Sequence, residues 1–217
     1  MDLDAIAGAL TSRGFVVVEN ALPAALLTSL DDGCSDREAP HFSPAGMGRG
    51  QAWQRDDLVR GDVIRWLDDA RPADHHYLAV MEGLRVALNQ RLYLGLVSYE
   101  GHYAIYGTGT HYHKHLDALA GAQNRLLSTV VYLDGEWAHA DGGELILYGA
   151  ADQPPLARIL PQPGLMVIFL SEEFPHEVLA ASKPRHSIAG WFSARVLGPE
   201  GGSLGAVRRR GALAAVT

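Results

Sequence analysis

The stretch YAIYGTGTHYHKHLD, residues 103–117, marks the point where the chain turns from helical to strand-like patterning. It also places three histidines and an aspartate within seven positions. Its first four residues belong to a series of short apolar runs: YAIY (103–106), LLSTVVYL (126–133), GELILY (143–148), ARIL (157–160), LMVIFL (165–170), HEVLAA (176–181) and SIAGWFSA (187–194). Gly, Pro and Asp breaks separate them. Seven or eight short strands with such turn signals predict a sandwich or barrel.

Upstream of about residue 95 the spacing is helical. Leu3, Ile6, Ala7 and Leu10 fit one helix, which Gly14 ends before the strand FVVVEN (15–20). Ala24–Leu30 predicts a second helix after Pro23, and Ala73 to about Leu92 a third. Helices first and strands after give an α+β domain, with the helices packed against one sheet. Residues 35–58 carry no period, and a loop of that length inside a compact domain is generally functional. The expected organisation is one domain: 1–94 as helical support and substrate-side loop, 95–197 as the barrel, and 198–217 as a tail.

The chain of 217 residues is 47% hydrophobic and 20% charged, enough for one large domain with a substantial core. A net charge of -7 and a pI near 5.8 give no general attraction to nucleic acid or anionic lipid. Arg208-Arg209-Arg210 reads as a solvated end. The single cysteine, Cys34, excludes an intrachain disulfide framework and fits a reducing, cytoplasmic setting. No secretory signal is recognisable, and no apolar run is long enough to span a bilayer. A monomer or homodimer without nucleic-acid or membrane partners is expected.

His111, His113 and His115 alternate, so on a regular strand all three would project to one face. That permits a zinc site of three imidazoles. Neighbours on such a face sit about 6.6 Å apart, so they fan out. His115 and Asp117 at a strand end converge better with His176, which lies 59 residues beyond Asp117 in FPHEV. Two imidazoles and a carboxylate bind one face of a metal and leave the other open, the ligand set of non-haem Fe(II) oxygenases. Arg185, nine residues after His176, would open the next antiparallel strand and point inward. A buried unpaired Arg is costly, so it implies an anionic partner, either a structural carboxylate or that of a ligand. His41, His75, His76, His102, His139 and His186 are expected to be surface or structural.

With these residues in place, the sequence resembles the Fe(II)- and 2-oxoglutarate-dependent oxygenases, in a bacterial branch similar to the prolyl hydroxylase domain enzymes of hypoxia sensing. The likeness rests on Tyr106-x-x-Gly109-x-x-Tyr112-x-x-His115-x-Asp117, on Arg125 leading into Val-Val-Tyr132-Leu-Asp, and on Asp141-Gly-Gly-Glu144-Leu. Phe-Pro-His176-Glu-Val, Arg185-x-Ser-Ile-x-Gly-Trp191-Phe and the upstream Arg60-Gly61-Asp62-x-Ile-x-Trp66 extend it in the same order. The resemblance implies a double-stranded β-helix, or jelly roll, supported by the N-terminal helices. It implies Fe(II) at His115, Asp117 and His176, with 2-oxoglutarate held by Arg185 and Tyr132 and assisted by Ser187. Tyr106 and Tyr112 match pocket aromatics. Asp62 and Arg125 match a pair that ties the substrate-side loop to the barrel beside Arg60, and Trp191 falls in the core or on the substrate side. Two departures stand out. Gly107-Thr108 replaces prolines and is expected to loosen that turn, and Ala189 stands where a Thr is usual.

The implied reaction hydroxylates a C–H bond with O2 while 2-oxoglutarate becomes succinate and CO2. Ascorbate is a candidate accessory, and no side chain is needed as acid or base. The implied substrate is a prolyl residue of a protein, a translation factor among the candidates, with free amino acids or small metabolites as rivals. Arg49, Trp53 and Arg55 would then sit in a lid over it. Two other classes share these residues: a zinc-dependent cupin-like hydrolase and a 2-oxoglutarate or metal sensor without turnover. Zinc activation would mark the first, and absence of succinate the second.

Overall fold

The computed structural model describes residues 1–35, 42–46, 56, 58–118, 124–149 and 153–195. Helix α1 (Leu3–Arg13) starts where the Asp2 side chain accepts the Asp4 and Ala5 N–H groups, and ends at Gly14. Gly14 has φ 79° and donates its N–H to the Leu10 carbonyl, a left-handed cap that a side chain would strain. The chain then reverses into β1 (Phe15–Val18). Helix α2 (Ala24–Ser35) outruns its expected end at Leu30. Helix α3 (Pro72–Leu92) follows the predicted span, with proline in its first turn where the missing N–H costs nothing.

The remaining strands are β2 (Ser43–Pro44), β3 (Asp62–Trp66), β4 (Leu96–Tyr106), β5 (Tyr112–His115), β6 (Arg125–Tyr132), β7 (Leu145–Leu147), β8 (Ala157–Ile159), β9 (Met166–Leu170), β10 (His176–Val178) and β11 (Arg185–Ala194). All seven apolar runs fall in strands. A seven-stranded sheet runs β1-β9-β6-β11-β4-β3-β2 and a four-stranded sheet runs β5-β10-β7-β8. Together they form the double-stranded β-helix. The first third of the chain is therefore more than support, because β1, β2 and β3 all join the larger sheet.

That sheet is buried on both faces, which explains its near-continuous apolar strands. On the outer face Tyr103, Leu127, Met166, Ile168, Ile188 and Phe192 pack with Ile6, Leu30, Met81, Leu84 and Leu88 of the three helices. On the inner face Tyr106, Tyr132, Val167 and Phe169 meet Leu145, Leu147, Phe174 and Val178. Adjacent residues of β9 thus serve opposite cores, as the two-residue strand period requires. Each fully buried large side chain contributes ~1.5–3 kcal/mol. Arg49, Trp53 and Arg55 of the expected lid, His41 and the Arg208–Arg210 cluster lie outside the described residues. Among the described residues, no helix is long and apolar enough to cross a membrane.

Candidate active site

In the smaller sheet β5 lies beside β10, with His115 directly opposite His176. The next partners are Tyr112 and Val178, so three steps on β5 match two on β10. This bulge breaks the regular alternation and re-aims the side chains. Tyr112 and His115 now share a side, their rings stacked at 3.6 Å and 18°. His111, half-buried, and His113, exposed, meet each other, Nε2 to Nε2 at 3.3 Å. The condition for the rival three-histidine site, a regular strand, is therefore not met. His115 instead joins Asp117 and His176, with ligand atoms all within 4.8 Å of one another.

The backbone fixes both rings. His115 Nδ1 lies 2.8 Å from the His113 carbonyl and His176 Nδ1 lies 3.0 Å from that of Phe174. A carbonyl only accepts, so each Nδ1 carries the proton and each Nε2 keeps its lone pair. Asp117 sits between them, Oδ1 3.7 Å from His115 Nε2 and Oδ2 3.6 Å from His176 Nε2. Those separations exceed hydrogen bonds and suit groups disposed around a shared centre. The Ser128 hydroxyl donates to Asp117 Oδ2 at 2.6 Å and lies 2.9 Å from Ser171 Oγ. Burial works to raise the Asp117 carboxyl pKa, but the His176 and His115 imidazoles and Ser128 together hold it well below the usual carboxylate range. Burial also pushes His176 down to about 4, against the pull of Asp117, which keeps the imidazole neutral.

A second group of residues lies at the start of β11. Arg185, opposite Tyr106 in the β4 ladder, is 2% exposed. Its guanidinium sits 4.3 Å from the Tyr106 ring and 5.5 Å from that of Tyr132. Nη1 donates to the Gly143 carbonyl at 2.9 Å, yet Nε and the Tyr132 hydroxyl are buried without a hydrogen-bond partner. Unmade bonds of this kind cost about 1–3 kcal/mol each, more for a charged group. No described carboxylate pairs with Arg185, so a ligand carboxylate is the partner that fits. Burial raises the Tyr132 phenol to about 12 despite Arg185, so it stays a donor. Ser187 lies on the same cavity wall, its Oγ only 3.5 Å from the Ala104 carbonyl.

In the same sheet, where Tyr106 pairs with Arg185 on one side and with Asp62 on the other, Arg60 grips Asp62 through Nε at 2.7 Å and Nη2 at 2.9 Å and stacks over Tyr112. Arg125 pairs with Glu100 at 2.6 Å and lies 3.6 Å above the Trp191 ring. The expected link between Asp62 and Arg125 is thus replaced by two separate pairs, because each has an oppositely charged group closer to hand. The Gly107 turn is not loosened either: Thr110 closes it with its N–H at 3.0 Å and its hydroxyl at 2.8 Å from the Gly107 carbonyl. His102 is not a surface residue but lines the cavity, 2% exposed. His186 is structural, its Nδ1 2.8 Å from Asp31 of α2.

Residues 101–193 match the sequence model of the 2OG-Fe(II) oxygenase superfamily. The crystal structure of a Pseudomonas putida prolyl-4-hydroxylase shares 38% identity with a TM-score of 0.80, covering 89% of this chain and 100% of that one. The chain belongs to the 2OG-Fe(II) oxygenase superfamily. A Trichoplax adhaerens prolyl hydroxylase, solved with a hypoxia inducible factor peptide fragment, shares the fold at TM-score 0.74 and 24% identity, over 88% of each chain. A hypoxia-inducible factor prolyl hydroxylase of Caenorhabditis elegans is 37% identical over 92 residues, 41% of this chain and 12% of that protein. The matches span 12% to 19% of the length of three such curated relatives.

The residues present in this 2OG-Fe(II) oxygenase fit both Fe(II) and 2-oxoglutarate. Two imidazoles and one carboxylate are a donor set that would suit the metal. The orphaned Arg185 Nε and Tyr132 hydroxyl suit an acid's far carboxylate. Sequence reasoning missed Ser128, Ser171 and His102. A serine inside an apolar strand, as Ser128 is in β6, or just past the end of one, as Ser171 is after β9, carries no spacing signature. His102, by contrast, is in phase with Ala104 and Tyr106 on β4, a signal that was present.

Proposed function

We propose that this protein is an Fe(II)- and 2-oxoglutarate-dependent dioxygenase that hydroxylates a C–H bond of a prolyl residue in a protein or peptide. The observation that carries the reading is the juxtaposition, in one cavity, of His115, Asp117 and His176 with the unsatisfied Arg185 and Tyr132 donors. The 38% identity to a prolyl-4-hydroxylase along 89% of the chain supports the choice of substrate.

His115, Asp117 and His176 would hold Fe(II), which with 2-oxoglutarate and O2 would supply the oxidising chemistry, succinate and CO2 being the co-products. The protein binds and orients. His115 and His176 present fixed Nε2 lone pairs, and Asp117 contributes a negative charge kept ionised by its neighbours. Ser128 fixes the carboxylate's rotation. Tyr112 braces the His115 ring by stacking. Arg185, backed by the Tyr106 ring, takes the far carboxylate of 2-oxoglutarate through charge-assisted hydrogen bonds, and Tyr132 donates a second bond to it. Ascorbate would act from solution, and no side chain is assigned to it. We read residues 1–217 as one oxygenase domain, since strands of both halves share a sheet. The unpaired Cys34 supports a reducing compartment, the cytoplasm.

The test is a mass-spectrometric screen of capped prolyl peptides incubated with enzyme, Fe(II) and 2-oxoglutarate. A gain of one oxygen on proline supports the reading. Oxygen gained only by free amino acids or small metabolites would overturn its substrate half.

A further inference from the structure

Further along β4 and β11 from the Tyr106–Arg185 pair, the cavity lining holds two neutral polar atoms without partners among the described residues. Trp191 Nε1 is a buried donor with no hydrogen bond, and the residue is 8% exposed. His102 lies next to it, ring centroids 5.5 Å apart. The Nδ1 of His102 is 3.0 Å from the Tyr103 carbonyl, so it carries the proton and leaves Nε2 as an acceptor. Nε2 has no partner among the described residues. Trp66, 51% exposed, stands edge-on to His102 at 5.2 Å. In the β4–β11 ladder His102 faces Ala189, a small side chain.

The charges nearby are already compensated. Arg60 is paired with Asp62 and Arg125 with Glu100. A free amino acid would bring an ammonium and a carboxylate that need partners of opposite charge here. A peptide group brings one neutral N–H and one neutral C=O. The cavity offers one neutral acceptor and one neutral donor, and burying a polar group is tolerable only when it is bonded.

We propose that His102 and Trp191 form an acceptor–donor pair that reads the backbone of a peptide substrate, His102 Nε2 accepting the N–H that follows the target proline and Trp191 Nε1 donating to a neighbouring carbonyl. This rests on the prolyl reading above and selects peptidyl over free substrate. Burial, the largest influence, holds the His102 pKa down at about 4, with Arg60 acting in the same direction, so the acceptor persists at neutral pH.

The experiment compares capped prolyl nonapeptides, chosen by the screen above, in two forms: the native amide after proline and an ester that lacks the N–H. Binding to the protein is measured by calorimetry and turnover by oxygen incorporation, for wild type, His102→Leu and His102→Gln. Wild type should favour amide over ester by about 3- to 10-fold in Kd and in KM, the scale of one net hydrogen bond. His102→Leu should lose that preference, and His102→Gln, which keeps an acceptor, should recover part of it. A merely structural histidine would weaken both forms alike. Equal binding of amide and ester by wild type, or an undiminished preference in His102→Leu, overturns the pair while leaving prolyl hydroxylation intact. Succinate formation without oxygen on any of the peptides counts against the prolyl reading itself and removes this inference with it.

Discussion

The Ser128 hydroxyl donates to Asp117 Oδ2 across 2.6 Å and is itself anchored 2.9 Å from Ser171 Oγ. The carboxylate of the triad is therefore held by β6, a strand of the larger sheet, while both imidazoles come from the smaller one. Ser128 couples the two sheets at the proposed metal site. Groups that orient a ligand in this way typically matter 10- to 100-fold. Ser128→Ala is expected to weaken Fe(II) binding by roughly that factor, with the fold retained. Metal titration of the apoprotein measures it, and unchanged affinity would remove the coupling role.

Tyr132 tests the co-substrate cradle. Its hydroxyl is the orphaned donor beside Arg185, and a hydrogen bond to a charged group is worth about 1.5–3 kcal/mol. Tyr132→Phe should raise the KM for 2-oxoglutarate by about 10-fold or more and leave Fe(II) affinity as it was. Steady-state kinetics at saturating metal distinguishes the two effects.

The strands were legible because the larger sheet is buried on both faces, so runs such as LMVIFL stand out. The strands that no apolar run announced, β2 (SP), β3 (DVIRW) and β5 (YHKH), are short and polar or charged, and they exist because partners in the sheet complete them. The set His115, Asp117 and His176 was legible from order and residue type. The β5 bulge was not, since one extra residue against β10 is a property of the pairing and not of either segment alone. It is the bulge that separates His115 from His111 and His113.

The outer core carries the fold's stability. Phe192 is fully buried between the larger sheet and the helices. Phe192→Ala should destabilise by about 3–5 kcal/mol through lost transfer energy and a residual cavity. Denaturant unfolding followed by circular dichroism would show the midpoint falling at an unchanged slope.

Acid should act through His102. Its folded pKa is pushed below the ordinary 6.5 to about 4, chiefly by burial, with Arg60 and Arg125 adding to the shift and Asp62 opposing it. The unfolded chain takes up the proton first, so stability falls as pH drops from about 6.5 to about 4, by roughly 2–3 kcal/mol from this group. Denaturation across that window should show a shallower loss in His102→Gln than in wild type. Parallel curves would mean that His102 charges as readily folded as unfolded.

The central claim is that one cavity joins a facial metal triad to a carboxylate cradle. Conversion of 2-oxoglutarate to succinate tests it most directly, measured with and without Fe(II) for wild type, His115→Ala and Arg185→Ala. Wild type should give Fe(II)-dependent succinate and His115→Ala none. Arg185→Ala should recover turnover only at far higher 2-oxoglutarate. Iron-loaded wild-type protein that neither binds nor turns over 2-oxoglutarate, or succinate that persists undiminished in His115→Ala, would contradict it.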